Sequence, residues 1–425
     1  MISTLNDKFK TFMMSIGMIV CFICLIDTLT PVSDLTGSTN AKDRESELLN
    51  DSLVEFDEPR NLTDNEEDSV YGQIDTSNNN TYLVWQESVP GDISRNYEIL
   101  FKKGNNSSNS FGEQIQLSDN VGFSEHPQLA AENDNIYIVW ADDTDINKQI
   151  FYRKSNDSGN SFGEQVLLSD SNSNSFNQEI SAFGSNVYVV WLEKVPSGPY
   201  RVMLAASDDG GNTFHEPTTL SENAMAHTYP KISALNGHVY IAWHVEDQPN
   251  TRSGVYFMSS FDNGTTFGNV SKLNKEEKDF GEPQVASSEN QVYVIWGGSD
   301  YNKVSSLHFV KSDNNGRTFS EIKKISETEL GKLSEPSNVE IITDESGRLF
   351  IGWQDRLETA EKEEILFATS LDGGESFEDV TNLSNNANIS ECPSIIADRN
   401  MVFATWEDLT PGNHEVFFVN GTILR

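Results

Sequence analysis

The sequence predicts an all-β protein, a seven-bladed β-propeller of four-stranded antiparallel blades. The first observation behind this prediction is an apolar run that ends in tryptophan and occurs seven times, 51 to 57 residues apart, at Trp85, Trp140, Trp191, Trp243, Trp296, Trp353 and Trp406. The second is a turn motif, Ser-x-Asp-x-Gly-x-Ser/Thr-Phe, that recurs with the same period. Short β segments repeated at this spacing are typical of sheets arranged around an axis.

Each repeat contains four predicted strands. The tryptophan runs, such as VYVVW ending at 191, are almost continuously apolar, so we expect neighbouring sheets to cover both of their faces. A second run follows, for example QIFYRKS at 149–155, and then the turn motif and a segment such as FGEQVLLS at 162–169. A segment such as HPQLAA at 126–131 leads into the next tryptophan run. Turn-forming residues separate these segments, as expected for a chain of short strands.

The turn motif is a marker of fold rather than of chemistry. Its glycine can take the positive φ of a tight turn, and its aspartate can accept hydrogen bonds from N–H groups that the turn leaves unpaired. The phenylalanine then packs into a core. We therefore assign a structural role to the residues at the acidic position, which are Asp157, Asp209, Asp262, Asn314 and Asp372.

The number of blades depends on the N-terminal part of the repeat region. The motif phenylalanines number six when a degraded copy ending at Phe111 is included, whereas the tryptophan runs number seven. The segment FDEPRNLTDN at 56–65 resembles FGEQIQLSDN at 111–120. We therefore expect a strand near Phe56 to pair with the 415–419 run and complete the last blade, which would leave no open edge. Six blades with an appendage is the alternative.

Residues 1–30 differ in kind from the repeats. Lys8 and Lys10 precede an apolar stretch at 11–26, which is typical of a secretory signal peptide. A retained N-terminal membrane anchor is the alternative, and either one predicts an extracellular or cell-surface protein. Residues 31–53 have the composition of a polar flexible linker, and 54–425 form the predicted propeller domain. Cys392 is the one cysteine in that domain, so no disulfide can form within it.

The charge of the chain excludes some partners. The sequence has 66 acidic and 29 basic residues, a formal net charge of −37. Binding to nucleic acid requires clustered Lys and Arg, so we expect no nucleic-acid partner. The acidic excess favours solubility or the binding of cations.

The repeated turn motif resembles the Asp-box (BNR) repeats of sialidase-type propellers, and the resemblance covers essentially all of 54–425. That family includes exo-sialidases, other glycoside hydrolases and propellers without enzymatic activity. A sialidase is expected to carry three arginines that clamp the sugar carboxylate, a tyrosine nucleophile with a glutamate partner, and an aspartate acid/base. It also typically has six blades and an Arg-Ile/Leu-Pro phrase near the first blade. This sequence lacks that phrase, so the resemblance implies the fold more strongly than the activity.

Acidic residues recur where loops should open onto one face of the propeller. We take as ligand-face candidates the acids that follow the tryptophans or precede the inner strands, namely Glu87, Glu125, Asp142, Glu193, Glu282, Glu335, Asp355, Glu391 and Asp408. Three interpretations remain open for them. They are solvated loop residues, or they bind Ca²⁺ or another hard cation, or two of them act as acid and base in glycoside cleavage.

The fourth repeat carries a more varied group at the same face. His227 and Tyr229 precede its inner strand, and His244 and Glu246 follow its tryptophan. A transition-metal site or an acid–base cluster is one interpretation, and ordinary surface histidines are the other. The candidates for catalysis are accordingly Tyr229, Glu246, Glu125 and Asp142.

The sequence therefore predicts an exported propeller that recognises a glycan, a protein or a cation through an acidic face. The alternative is an exo-acting glycoside hydrolase of sialidase-like type, and a structural component of the cell envelope is a third class. A hydrolase should have a pocket with paired carboxylates and, for sialic acid, converging arginines, whereas a recognition module can have a flat or shallow binding face. The arginines near the expected face are Arg95, Arg201, Arg252 and Arg356.

Overall fold

The computed structural model describes residues 53–424 apart from short gaps at 92–95, 107–109, 145, 171, 225–227, 246–253, 275–278, 300–304, 326–335, 345 and 357–361. The predicted signal or anchor, and the predicted linker up to residue 52, lie outside the described residues. No helix that could cross a membrane occurs in the described part of the chain.

The described chain is built from short strands. Those of the N-terminal segment and the first two blades are β1 (Val54–Phe56), β2 (Arg60–Asn61), β3 (Ser69–Ser77), β4 (Asn80–Ser88), β5 (Tyr97–Asn105), β6 (Ser110–Phe111), β7 (Ile115–Gln116), β8 (Ser124–Glu132), β9 (Asn135–Asp142), β10 (Gln149–Ser155) and β11 (Val166–Leu167). Those of the third and fourth blades are β12 (Asn174–Phe183), β13 (Asn186–Lys194), β14 (Tyr200–Ser207), β15 (Thr218–Ala224), β16 (Lys231–Leu235), β17 (His238–Val245), β18 (Gly254–Ser260) and β19 (Ser271–Lys272). Those of the last three blades are β20 (Asp279–Phe280), β21 (Gln284–Ser288), β22 (Gln291–Ser299), β23 (Ser305–Ser312), β24 (Lys323–Ile325), β25 (Ser337–Thr343), β26 (Leu349–Arg356), β27 (Glu363–Ser370), β28 (Glu378–Asn382), β29 (Ser390–Asp398), β30 (Met401–Asp408) and β31 (Glu415–Ile423).

These strands form seven antiparallel sheets, one for each tryptophan run, and the predicted seven-bladed propeller is confirmed. In every sheet the tryptophan lies on the second main strand, and all seven indoles are at most 2% exposed. The hydrophobic clusters combine residues of neighbouring sheets. Tyr240 and Phe257 of the fourth blade, for example, pack with Val294 and Trp296 of the fifth. The core therefore lies between the faces of adjacent blades, which explains why the tryptophan strands are apolar on both faces.

The last sheet contains strands from both ends of the described chain. β1 pairs with β31 with Val54 opposite Ile423, and β2 pairs with the same strand with Arg60 opposite Phe418. The contacts of Thr63 match those of an outer strand elsewhere. Its hydroxyl accepts a hydrogen bond from the Val416 amide (3.0 Å) and donates to the Glu415 carboxylate. In the first blade Ser118 bonds in the same way to the Ile99 amide and the Glu98 carboxylate.

The turn motif holds each blade against the preceding one. In the third blade Asp209 accepts hydrogen bonds from the Thr213 amide (2.9 Å) and hydroxyl (2.7 Å), and these bonds lower the pKa of its carboxyl. Gly211 has a φ of 74°, and a β-carbon there would lie 2.1 Å from the Tyr152 hydroxyl oxygen of the second blade. Phe214 packs edge-on against the same tyrosine, with ring centroids 5.0 Å apart. The motif thus docks one blade against the preceding one, and its aspartate stabilises the turn through hydrogen bonds.

Candidate functional site

Three of the acids two residues after the tryptophans have their carboxylates directed into the blades. Asp408 accepts hydrogen bonds from the indole N–H of Trp406 (3.0 Å) and the Ser390 hydroxyl (3.1 Å). Asp142 does the same for Trp140 (3.4 Å), and Glu87 for Trp85 (3.1 Å). In these three blades the acid supplies the acceptor for the buried indole N–H and so completes the blade core.

The expectation that the post-tryptophan acids lie exposed at a mouth is therefore wrong for four of the five, whereas Glu87 is half-buried. Asp142, Glu193, Asp355 and Asp408 are at most 5% exposed. Glu193 lies 4.0 Å from Arg201, and burial raises the pKa of its carboxyl. Position at the end of a strand does not place these side chains in solvent.

The functional candidate is a pocket of about 300 Å³ to which the inner segments of all seven blades contribute. Two successive sets of side chains line it. One set occupies equivalent positions in the seven blades and consists of Tyr71, His126, Asn177, Tyr229, Glu282, Asn338 and Cys392. The other lies two residues further along the inner strands and includes Gln73, Gln128, Glu179, Lys231, Gln284 and Glu340. We call the first set the upper ring and the second the lower ring.

A repeated bulge defines the upper ring. Five of its residues have positive φ, between 46° and 55°, namely Tyr71, His126, Asn177, Asn338 and Cys392. The register of the inner strand shifts at each of these five points. Such a conformation is uncommon for residues other than glycine, and bulges are often found beside functional sites, where they redirect a side chain. Sequence reasoning missed the ring as a set, although aligning the inner strands would have shown it.

Side chains of the preceding blades hold several of these bulges. Gln86 accepts a hydrogen bond from the His126 amide (2.6 Å), Gln354 from the Cys392 amide (3.2 Å), and Glu407 from the Tyr71 amide (2.8 Å). Each acceptor is the residue immediately after a blade tryptophan. The backbone of the upper ring is therefore fixed by its neighbours.

The lower ring contains one cation among acids. Lys231 donates a hydrogen bond to Glu179 (2.7 Å), and Gln284 donates one to Glu340 (2.9 Å). Burial raises the pKa of Glu340 to about 7, although Lys231 acts in the opposite direction, and burial likewise raises the pKa of Glu282. Burial alone would lower the pKa of Lys231. The charges of Glu179, Glu340 and Glu282 outweigh this effect and raise the pKa.

Aromatic rings form part of the upper ring. Tyr71 packs edge-on against His126 with centroids 4.3 Å apart, and Tyr229 stacks on His244 at 5.9 Å. Burial raises the pKa of both tyrosines, so their hydroxyls remain protonated at neutral pH. Beside His126, Glu125 forms an ion pair with Lys148. Burial opposes ionisation of Glu125, but His126 and Lys148 together lower its pKa to about 2.

The structure brings some of the sequence-based candidates together. Tyr229 and Glu282 line the pocket, His244 stacks on Tyr229, and Glu125 and Glu391 directly precede the lining residues His126 and Cys392. The other candidates at this face, His227, Glu246, Glu335, Arg95 and Arg252, lie outside the described residues.

The chain matches no protein-family model and no curated protein. Its structure resembles a Dyadobacter fermentans protein of unknown function, with a TM-score of 0.54, 15% identity, and coverage of 87% of this chain and 99% of that one. It also resembles the NanB sialidase of Streptococcus pneumoniae, with a TM-score of 0.50, 8% identity, and coverage of 91% and 73%. A Trypanosoma rangeli sialidase gives a TM-score of 0.47 at 12% identity, and this chain spans 56% of that sialidase's length.

The chain has a sialidase-like propeller fold. At these identities the likeness concerns the fold alone, so the chemistry must be argued from the pocket. Among the described lining residues the basic side chains are Lys231 and His126, and Lys231 is engaged by Glu179. No arginine belongs to that lining, and the described Arg201 and Arg356 lie next to Glu193 and Glu363. The described pocket thus presents amides, phenols and carboxyls rather than a guanidinium clamp.

Proposed function

We propose that this protein is a recognition module whose central pocket binds a neutral or amine-bearing sugar of a glycan. The observation that carries the proposal is the charge of the described lining. Lys231 is the one Lys or Arg in it, and it lies among Glu179, Glu282 and Glu340. An anionic sugar needs an available cation to replace its lost hydration, so this lining disfavours a carboxylate ligand.

The remaining lining suits sugar hydroxyls. A hydroxyl both donates and accepts hydrogen bonds, and the amides of Gln73, Gln128 and Asn177 can do the same. Protonated Tyr71 and Tyr229 add donors and apolar ring surface. The volume of about 300 Å³ lies at the small end of ligand pockets, which favours one or two sugar units over a long chain.

The test is a binding titration of the purified protein with neutral, amino and acidic monosaccharides. A neutral or amino sugar should bind, and Gln128→Ala should weaken binding about tenfold, the cost of a lost hydrogen bond. Gln116→Ala is the matched control, because Gln116 is exposed on a short outer strand away from the pocket lining. Preferential binding of sialic acid, or unchanged affinity in Gln128→Ala, would contradict the proposal.

The setting of the module is part of the same proposal. The basic and apolar pattern at 8–26 supports an exported or surface-anchored protein, in which the pocket would meet glycans of the cell surface or surroundings. Cell fractionation of the full chain and of a form lacking residues 1–30 tests this. Export should depend on those residues, and an intracellular full-length protein would contradict the assignment.

A glycoside hydrolase is the second candidate, and the contrast between two carboxyls favours it. Burial raises the pKa of Glu282, whereas Glu125 beside His126 is held ionised. Carboxyls with opposite shifts can serve as general acid and as base or nucleophile. Fluorogenic neutral and acidic glycosides test this function. Turnover that Glu282→Gln abolishes while sugar binding persists would favour the enzyme, and absence of turnover would favour recognition alone.

A further inference from the structure

In the described residues, the blades place up to three equivalent residues beside the upper ring. The first residue directly precedes the bulge on the inner strand, and the second directly follows the tryptophan. The third lies on the chain three positions before the residue of the third main strand that pairs with the tryptophan. We call each set a rim trio. The first two members lie opposite each other in the pairing of the two strands. Glu125 pairs with Ala141 in this way, and Glu391 pairs with Glu407.

In three other blades two side chains of the rim trio contact each other. In the second blade Lys148 forms an ion pair with Glu125. In the third, Phe176 packs edge-on against Tyr200 with centroids 6.3 Å apart. In the sixth, Gln354 donates a hydrogen bond to Glu363. These positions therefore adjoin one another, and in these three blades their side chains are complementary.

The rim trio of the seventh blade has a different content. It consists of Glu391, Glu407 and His414, each of which offers one donor atom, and these three atoms all lie within 4.8 Å of one another. His414 Nδ1 lies 3.6 Å from Glu407 Oε2. This nitrogen is buried and makes no hydrogen bond with the described residues. Two carboxylate oxygens and one imidazole nitrogen thus lie near enough to one another to share a single ion.

Glu407 is the member of the trio that a backbone group holds in place. Glu407 uses Oε1 to accept the Tyr71 amide hydrogen, which leaves Oε2 on the side of His414. Cys392 directly follows Glu391 in the chain and so adjoins the trio.

We propose that Glu391, Glu407 and His414 bind one divalent transition-metal ion of the Zn²⁺ type. A mixed set of imidazole and carboxylate donors suits Zn²⁺ and its first-row neighbours, whereas Ca²⁺ prefers oxygen donors alone. Three protein donors leave a coordination position for water or a ligand atom. Tyr71 and Cys392 contact this trio and also line the pocket, so the site adjoins the pocket edge.

The main test uses Zn²⁺, with Co²⁺ as a spectroscopic probe and Ca²⁺ as a competitor. The purified full-length protein is stripped with a chelator, titrated with Zn²⁺ by calorimetry, and analysed for retained zinc after dialysis. The wild type should retain one Zn²⁺ per chain. His414→Gln and Glu391→Gln should each weaken binding by more than about 100-fold, since even the outer-shell partners of zinc ligands contribute about 10- to 100-fold. Glu407 is left unchanged because it holds the Tyr71 bulge.

The matched control is His215→Gln. His215 lies 3.5 Å from Asp208 on the surface, with both side chains about two-thirds exposed or more, so it reports adventitious binding by a histidine–acid pair. Circular dichroism and melting temperature verify that each variant is folded. The absorption spectrum of the Co²⁺-loaded wild type provides a readout that needs no variant, and it should show an imidazole–carboxylate site of low coordination number.

Each outcome either supports the zinc site or overturns it. Loss of zinc in both trio variants with retention in His215→Gln supports the site. No retained Zn²⁺ in the wild type, unchanged affinity in a folded His414→Gln protein, or tighter binding of Ca²⁺ than of Zn²⁺ would overturn it. The measurement involves no sugar, so a negative result in the sugar titration leaves this proposal standing, and the reverse also holds.

Discussion

Replacing Glu340 by Gln should stabilise the protein at alkaline pH. Glu340 lies in the lower ring, accepts a hydrogen bond from Gln284 at 2.9 Å, and has a pKa that burial raises from 4.5 to about 7. The folded protein therefore favours the protonated carboxyl. A glutamine keeps the carbonyl acceptor for Gln284 and carries no charge at any pH.

The magnitude follows from the linkage between protonation and folding. Because the folded pKa lies above the unfolded one, stability from the protonated carboxyl is fully present below pH 4.5 and is lost as pH rises through about 7. A difference of about 2.5 pKa units corresponds to about 3 kcal/mol. Glu340→Gln should thus raise the free energy of unfolding by up to about 3 kcal/mol at pH 8 and by about 1 kcal/mol at pH 5.

Urea unfolding at pH 5 and pH 8, followed by tryptophan fluorescence, measures this difference. Glu179→Gln is the matched control because it makes the same chemical change beside the same lysine. Glu179 accepts a hydrogen bond from Lys231 at 2.7 Å, so its replacement should destabilise the protein by about 1.5–3 kcal/mol at pH 8. If Glu340→Gln is destabilising at pH 8, or its effect is equal at the two pH values, the assigned electrostatics of the lower ring are refuted.

Three further substitutions test the blades, each by the midpoint of urea unfolding. Asp408→Asn should cost about 2–3 kcal/mol, because an amide cannot accept all the donors around this buried carboxylate, and a loss below about 0.5 kcal/mol would contradict its role. Gly211→Ala should cost at least about 2 kcal/mol, since its β-carbon would overlap Tyr152, whereas Gly91→Ala, with a nearly equal φ of 73° and open space, should cost about 1 kcal/mol or less. Thr63→Val should cost about 1–3 kcal/mol because it leaves a buried amide and carboxylate unsatisfied, and a neutral result would argue against the N-terminal segment as an outer strand of the last blade.

The fold was predictable because its determinants repeat. A buried tryptophan on the second main strand and a glycine that must approach the preceding blade recur at one period, so the sequence displays both directly. The likeness of 56–65 to 111–120 also has a physical basis. Thr63 and Ser118 occupy matching positions in those segments and make matching hydrogen bonds.

The site was only partly predictable because its determinants do not repeat in composition. Tyr229 and Glu282 were found as residues that enter inner strands, and both line the pocket. Gln73 and Gln128 were missed, because a shift of register at the bulge changes which residues face the axis, and strict alternation along a strand does not reveal such a shift.

The post-tryptophan acids show the opposite error. A charged residue at the end of a strand is usually solvated. For this reason the sequence suggests a ligand face for Asp142 and Asp408. The tryptophan two residues earlier carries an N–H that is buried with it, and Asp142 and Asp408 satisfy that donor. The sequence shows that a tryptophan and an acid recur two residues apart. It does not show that the indole N–H is buried and can take the acid as its acceptor.

The bulge also explains how one scaffold can carry a site of such varied composition. Where the residue after the tryptophan is Gln86, Gln354 or Glu407, its side chain accepts the hydrogen bond of the next bulge amide, so the backbone there is held by a neighbouring blade. The side chain at the bulge lines the pocket and is not part of the hydrophobic clusters between blades. Its identity can therefore change from tyrosine to histidine or cysteine without altering blade packing. Substitutions in the upper ring should accordingly change ligand binding far more than stability, whereas substitutions of the acceptors that hold it should change both.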